Sequence, residues 1–416
     1  LFLTNNSNLR LTAIPLDDTG TTAAQKTITF TGPAAESGTL FIYIAGRRLQ
    51  IPVVIGDTAN EIAANVEASI TANSDLIMSA SVATNVVTLT AKNGGEWTEK
   101  LPVFVNPFPR AKGGNEDLPN GVTGTVANTV TGSGNPDISP AISAITDDVF
   151  NYILQPYNDD ANMDRMDSEL ISRQDAMVQL EGHAFNAFAG TLSEATTFGG
   201  NRNSPYSTTL HAGEDSISPE HHWAGAYFGR ASKLSTADPA APWQNQPLVG
   251  ISPPPEEKRL IRTERNLLLL SGVATHVIQK DGTVLIERGI TNFQLNSLGQ
   301  PDVSFLDSMT SLTLSFLRQS FLIRLSGIYG KNFKLVKDGG NITAGSNIAS
   351  PEIIRQDIIS LAEDWVELGL IESIAQFKTD LIVEINASDV NRVDVQMSPD
   401  LVNQLRIIAN RILFIL

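Results

Sequence analysis

The sequence predicts an α/β (α+β) multidomain protein, and three patterns carry that prediction. Residues 26–108 hold short β-branched runs around one helical segment, which makes a compact β-rich unit. From Ser139 onward strand-like and helical segments alternate, the order expected of helices layered on a mainly parallel sheet. The last third opens on two apolar runs flanking Asp281-Gly282, the strongest short hairpin signal available from sequence. At 416 residues the chain has room for two or three domains, each with its own core.

In chain order, Lys26 to Gly32 reads as a strand and Gly38 to Ile55 as a hairpin turning at Gly46-Arg47-Arg48. Asp57 to Asn73 has helical spacing: Ile62, Ala63, Val66 and Ile70 fall on one face, and Asp57 or Thr58 can cap it. Val82 to Ala91 and Leu101 to Phe108 return to β-type alternation. Pro107 to Pro136 is rich in Gly, Pro, Asn and Thr and reads as a linker. Beyond it, Ser139 to Asp147 and Ala161 to Asp175 are helical, while Phe150 to Pro156 and part of Met177 to Ala187 are strand-like. Pro219 to Ser235 is expected to be a helix behind Ser218 as N-cap, and Pro239 to Pro255 a loop. Val273 to Lys280 and Thr283 to Arg288 form the predicted hairpin, and Asp302 to Ile328 a long helix. In Glu352 to Gly369, Ile353, Ile354, Ile358, Leu361 and Trp365 make a stripe that Gly369 can end. Lys378 to Ile385 and Arg392 to Met397 read as strands.

The closing stretch, Leu401 to Leu416, is unusual for a terminus, since ends that nothing ties down are normally polar. It finishes on Ile412, Leu413, Phe414, Ile415 and Leu416, with no charge after Arg411. Val402, Leu405, Ala409, Ile412 and Leu416 fit a helical stripe, while Ile407, Ile408 and Phe414 favour an extended strand, the form expected here. Such a strand needs a waiting edge, in its own domain or in a neighbouring copy.

Composition removes several function classes. A net charge of −16 argues against a phosphate-binding surface and hence against nucleic acid as partner. With no cysteine there are no disulfides or thiolate metal sites. No apolar run approaches membrane-spanning length, and no signal peptide is visible. The chain begins at Leu1 rather than Met, so further N-terminal sequence is expected to precede it.

Candidate chemistry is thin. Asp18-Thr19-Gly20 matches the aspartic-protease tripeptide, yet it occurs once and a shared-proton dyad needs two carboxylates. His211, His221 and His222 with Glu214, Asp215 and Glu220 suggest a metal cluster, but adjacent helical histidines point about 100° apart. Gly132-Ser133-Gly134-Asn135 lacks the Gly-Lys-Ser/Thr end of a phosphate loop and reads as linker. Asn5, Asn341 and Asn386 sit in glycosylation triplets that carry little weight without a secretory signal. No nucleophile–base set assembles, and no catalytic residue, metal or cofactor is expected. One charge pattern stands out: between Asp307 and Asp338 no acid occurs, while Arg318, Arg324, Lys331, Lys334 and Lys337 do. That is either a solvated helix end or a docking patch for an acidic partner.

An ordered set of segments resembles the tail sheath protein of contractile, Mu-like bacteriophages. It starts with Gly38-Thr39-Leu40, Ile44-Ala45-Gly46, Gly56-Asp57-Thr58, Leu89-Thr90-Ala91-Lys92 and Asn201-Arg202-Asn203-Ser204-Pro205. The longest run is Glu264-Arg265-Asn266-Leu267 to Val273, then Asp281-Gly282-Thr283-Val284, Glu287-Arg288-Gly289, Phe305-Leu306-Asp307 and Leu317-Arg318. It closes with Gly369-Leu370-Ile371-Glu372, Asn391-Arg392-Val393-Asp394 and Asp400-Leu401-Val402-Asn403-Gln404-Leu405. Gly95-Glu96-Trp97 and Ser218-Pro219-Glu220-His221 depart from the family pattern.

The resemblance implies an α/β sheath core (residues 1–25 and 137–263) and a β-rich inserted domain at 26–108 with a linker at 109–136. It further implies a C-terminal α/β assembly domain at 264–400, completed by strands from neighbouring subunits, and a linking arm at 401–416. The arm residues are Leu405, Ile407, Ile408, Ile412, Phe414 and Leu416, and the five cations from Arg318 to Lys337 become a candidate tube contact. The implied partners are further copies of the chain, the tail tube and the baseplate and tail terminator proteins, in a virion tail assembled in the host cytoplasm. The expected function is a non-catalytic sheath subunit that contracts to drive the tube through a host envelope. Rival readings are the sheath of a phage-tail-like bacteriocin, an adhesin or carbohydrate-binding module on an α/β scaffold, and an α/β enzyme with a dispersed site.

Overall fold

The computed structural model describes residues 2–7, 10–340 and 347–413, and the architecture is α/β throughout with three principal cores. A short helix, α1 (Phe2–Asn5), leads into an extended passage and then into the β-rich unit. That unit contains β1 (Gln25–Thr31), β2 (Gly38–Ile44), β3 (Arg47–Val53), α2 (Ala59–Thr71), β4 (Met78–Ala83), β5 (Val86–Ala91), β6 (Val103–Val105) and β7 (Thr123–Val130). Two antiparallel sheets, ordered β4-β5-β1-β7 and β3-β2-β6, close with α2 over a core that includes Ile28, Phe30, Leu40, Ile42, Val66 and Leu89. The β2–β3 turn sits at Ala45-Gly46, both at positive φ, one residue before the predicted position. The run from Val82 to Ala91 is the end of one strand and the whole of the next, turned at Thr84-Asn85.

The helix α2 shows its local causes plainly. Ile62, Ala63, Val66 and Ile70 are its buried face, and Thr58 and Glu61 form a reciprocal capping box. Replacing Thr58 with Ala should therefore lower the stability of this unit by about 1 kcal/mol. Denaturant titration checks this, and an unchanged midpoint would mean that the cap contributes nothing.

The predicted linker at 109–136 is corrected by the structure. β7 pairs with β1 over seven residues and completes the larger sheet. As an edge strand it buries little, so its sequence carries few large apolar groups. Its glycine serves packing rather than flexibility: a Cβ on Gly124 would stand 3.0 Å from Val105 and 3.1 Å from Phe30. Gly132 to Asn135 is likewise fixed, because Ser133 bridges Thr22 and the Asn135 amide binds Asp159 at 2.7 Å.

The central body runs α3 (Ser139–Ile145), β8 (Tyr152–Leu154), α4 (Asp160–Arg173), β9 (His183–Phe188), α5 (Leu192–Gly200), β10 (Ser207–His211), α6 (Glu220–Ala237), α7 (Arg262–Leu270), β11 (Thr275–Ile278) and β12 (Val284–Arg288). The sheet β10-β9-β8 is parallel as expected and takes in the two predicted strand segments as β8 and β9, while β10 adds a strand that the sequence reading did not assign; β11–β12 is the Asp-Gly hairpin. Its core gathers Phe185, Trp223, Tyr227, Phe228 and Trp243, with Phe2 of α1 against Phe228. The start of α6 differs from expectation: Pro219 is the cap position, and the Ser218 hydroxyl instead accepts the Ser252 N–H at 2.9 Å.

The long helix α8 (Ser308–Tyr329) starts six residues later than predicted. Residues ahead of it are spent in turns that hand the Thr291 N–H to the Leu306 carbonyl. It leads to the C-terminal body: β13 (Lys334–Leu335), β14 (Ile348–Ala349), α9 (Pro351–Glu367), β15 (Ile371–Glu372), α10 (Ile374–Asp380), β16 (Ile382–Ile385), β17 (Val393–Gln396) and β18 (Asp400–Leu401). The α9 stripe packs Ile354, Ile358, Leu361 and Trp365 against Phe377 and Leu370, and Gly369 ends the turn at φ 69°. Lys378 to Leu381, expected in a strand, finishes α10 and its cap, so the strand starts at Ile382.

Candidate functional site

The chain leaves its last body at β18, which pairs antiparallel with β15, and the Val402 N–H then donates to the Leu370 carbonyl at 3.1 Å. From there to Leu413 no strand forms within the chain, so the extended strand expected here has no edge to pair with among the described residues of its own subunit. A strand is held by ladder bonds, and none of the described strands runs beside this segment. Leu405, Ile407, Ile408 and Ile412 are exposed by 74%, 78%, 81% and 83%, far from the burial that their types favour. Phe414 and Leu416 lie outside the described residues, as does Asn341.

Open sheet edges exist elsewhere among the described residues. Among the described residues the C-terminal body carries three separate two-stranded sheets, β13–β14, β15–β18 and β16–β17. In the central body β8 ends its sheet and lies along a groove of about 890 Å³, lined by Leu11, Ile14, Ile142, Val149, Leu154 and Phe316 among others. Gln155 on that wall is 2% exposed, and neither amide atom finds a partner.

The basic stretch does not form one patch. Arg318 turns inward: its guanidinium donates to the Gln174 carbonyl at 2.7 Å and side chain at 2.8 Å, and meets the buried Glu181 at 3.0 Å. Arg324 stands 3.9 Å from Asp364 across the α8–α9 contact. Lys331, Lys334 and Lys337 are exposed. The structure thus leaves three lysines as the outward part and makes Arg318 a brace between α8 and the central sheet.

The histidine and acid group is distributed rather than convergent. The His211 ring meets the Gly190 carbonyl at 3.0 Å, and His221 packs edge-on to Trp97 and His222. Burial pushes His221 down to about 3 and His222 to about 4, so both are neutral near pH 7. Glu220 accepts the Ala189 N–H at 3.1 Å and faces Lys100 at 3.5 Å, while burial raises its pKa. Glu214 and Asp215 pair with Lys258. Among the described residues no three such side chains converge as metal ligands. Asp18 opens a turn through its carbonyl, which accepts the Thr21 N–H, and its carboxylate accepts the N–H of the distant Gly94 at 2.9 Å.

One cluster escaped the sequence reading. Asp307, at the head of α8, receives Arg288 through Nε at 3.1 Å and Nη2 at 3.3 Å, and also Arg406 through Nη2 at 2.9 Å. The signal was Arg406 itself, one of two charges, with Arg411, in a closing stretch rich in large aliphatic residues.

Comparison with known proteins places these features. Residues 131–292 match the model of the phage tail sheath protein central domain, and residues 300–415 that of the phage tail sheath C-terminal domain. Over all 416 residues the chain is 34% identical to the Mu-like prophage FluMu tail sheath protein of Haemophilus influenzae, covering 84% of that protein. The chain belongs to the phage tail sheath family. Solved sheath proteins share a low overall likeness. One from Desulfitobacterium hafniense has a TM-score of 0.45 at 13% identity, with 92% of this chain and 80% of that one covered. One from Listeria innocua has 0.46 at 15%, with 79% and 78% covered. The contracted helical sheath of the anti-feeding prophage has 0.43 at 10%, with 70% and 78% covered. In the sheath frame, the central-domain match takes in the parallel sheet and the hairpin, and the C-terminal match takes in α8, α9 and the exposed arm.

Proposed function

We propose that this chain is a non-catalytic subunit of a contractile tail sheath, which polymerises with copies of itself around a tail tube. The observation that carries this reading is the apolar segment 402–413, which leaves a well-packed body and stays exposed. Lent to an open sheet edge of the next copy, it would make a heterologous contact, and repeated heterologous contacts generate helices or stacked rings. Separate cores suit a change in which largely rigid bodies exchange interfaces while the arms keep copies linked. In this reading the β-rich unit is the outer domain, residues 264–400 are the assembly domain, and baseplate and terminator proteins cap the two ends. The assembled site is the tail of a virion.

The exposed lysines carry a separate expectation. Lys331, Lys334 and Lys337 extend from the end of α8 and can pair with an acidic tube surface. Changing Lys331 and Lys334 together to Glu is expected to weaken tube binding by about tenfold at low ionic strength, with the difference fading as salt screens it. Co-sedimentation of sheath with purified tube measures this. Equal binding at low salt would make the lysines ordinary solvated surface.

A further inference from the structure

The arm does not simply trail from β18. Between Leu401 and the exposed stretch it is held a second time, where Arg406 meets Asp307 at 2.9 Å. Asp307 occupies the N-cap position of α8, yet its side chain makes no capping bond; its carboxylate is committed to Arg288 and Arg406 instead. The Arg406 side chain is 15% exposed, its Nε is buried without a partner, and Gln404 also contacts its guanidinium. The segment lies over a small cavity of about 230 Å³ lined by Ala240, Asp307, Met309, Leu370 and Leu401 among others. From Ile407 onward the side chains described stand in solvent.

We propose that Arg406 is a positioning residue: pinned to Asp307 at the head of α8, it sets the direction in which residues 407–413 leave the subunit. This rests on the reading of the arm as the link between copies. The pin has an unusual economy. One carboxylate serves two arginines, and Arg288 alone already holds it through two nitrogens. Removing one partner from an ordinary buried pair strands the other charge. Here Arg406 can swing out with the arm and leave Asp307 still paired, so the root of the arm is fixed but releasable. It also couples the arm to α8, whose far end carries the exposed lysines.

The chain has no cysteine, which makes site-directed spin labelling straightforward. Labels at Ile408→Cys and Glu367→Cys report the spread of arm directions in the unassembled subunit. Arg406→Gln is expected to widen that distance distribution at least twofold, Arg406→Lys to recover much of the narrow form, and Arg411→Gln to leave it unchanged. Arg406→Gln subunits keep residues 407–416 and should still polymerise, but into tubes of mixed diameter and pitch by electron microscopy. An unchanged label width, or a widened one with uniform tubes, overturns the proposal. A variant lacking residues 407–416 separates the two ideas. If it still forms tubes, the donated-arm reading fails, while the label width independently decides whether Arg406 fixes the segment.

Discussion

A chain shortened by Asn403 to Leu416 should fold and fail to polymerise. The stability side of this expectation follows from exposure. Leu405, Ile407, Ile408, Ile412 and Leu413 contribute almost nothing to their own subunit, being 74–83% exposed. Their removal costs the isolated chain little, and the loss of Arg406 with them leaves Asp307 still paired with Arg288, so the whole deletion should cost about 1–2 kcal/mol. The assembly side is opposite in sign and larger. Each large aliphatic side chain that becomes fully buried on a neighbour gives roughly 1.5–3 kcal/mol. Against this stands a backbone ordering cost of about 1–2 kcal/mol per residue. An edge that supplies ladder bonds as well as apolar contact tips that balance. A net loss of even about 4 kcal/mol per contact lowers the association constant by about a thousandfold. Sedimentation and negative-stain microscopy at matched concentration are the measurements. Tubes forming at the wild-type concentration would remove the arm from the assembly mechanism.

The same segment shows what sequence could and could not reveal. α2 and α9 were legible because burial follows a stripe written into adjacent turns, and both ends carry their own signals. The Asp-Gly hairpin was legible for the same local reason. β7 was not, because an edge strand needs only small and polar residues, and its partner β1 lies about a hundred residues away in the chain. α5 was missed although Thr191 and Glu194 spell a capping box, since it is short and ends on Gly199-Gly200, which are poor helix formers. The basic stretch failed differently. Arg318 and Arg324 are six residues apart on one helix, which sets them about 120° apart around its axis. Charge counted along the chain therefore merged an inward brace, a bond to α9 and three free lysines into one surface. The closing arm stayed ambiguous between helix and strand because none of the described strands pairs with it and its large side chains stand exposed, and a segment without a packed face has no periodicity to obey.

Acid should weaken the central body through a single side chain more than through any surface pair. His183 begins β9, is 1% exposed, and has no partner on either ring nitrogen; its ring lies 5.2 Å from that of Phe185. Burial pushes its pKa from 6.5 down to about 3. The sign follows from which state takes up the proton. Below pH 6.5 the unfolded chain binds it and the folded chain does not, so stability is complete above 6.5 and falls steadily as pH drops toward 3. At pH 4.5, about two units below the unfolded value, the loss attributable to this group is about 3 kcal/mol. Burial of His276, also pushed down to about 3, acts in the same direction, whereas the raised Asp167 and Glu220 act in the other. A difference experiment isolates His183. In His183→Phe the stability lost between pH 7 and pH 4.5 should be smaller by about 2–3 kcal/mol than in wild type. Trp223 and Trp243 share the core of the central body, so in a Trp97→Phe, Trp365→Phe background tryptophan fluorescence in urea reads this body. Equal losses in both proteins would mean that the imidazole finds a proton acceptor in the folded state. The consequence reaches the assembly surface: two residues before His183, Glu181 holds Arg318 of α8. Loosening this sheet in acid therefore loosens the helix that joins the lysines at one end to the arm pin at the other.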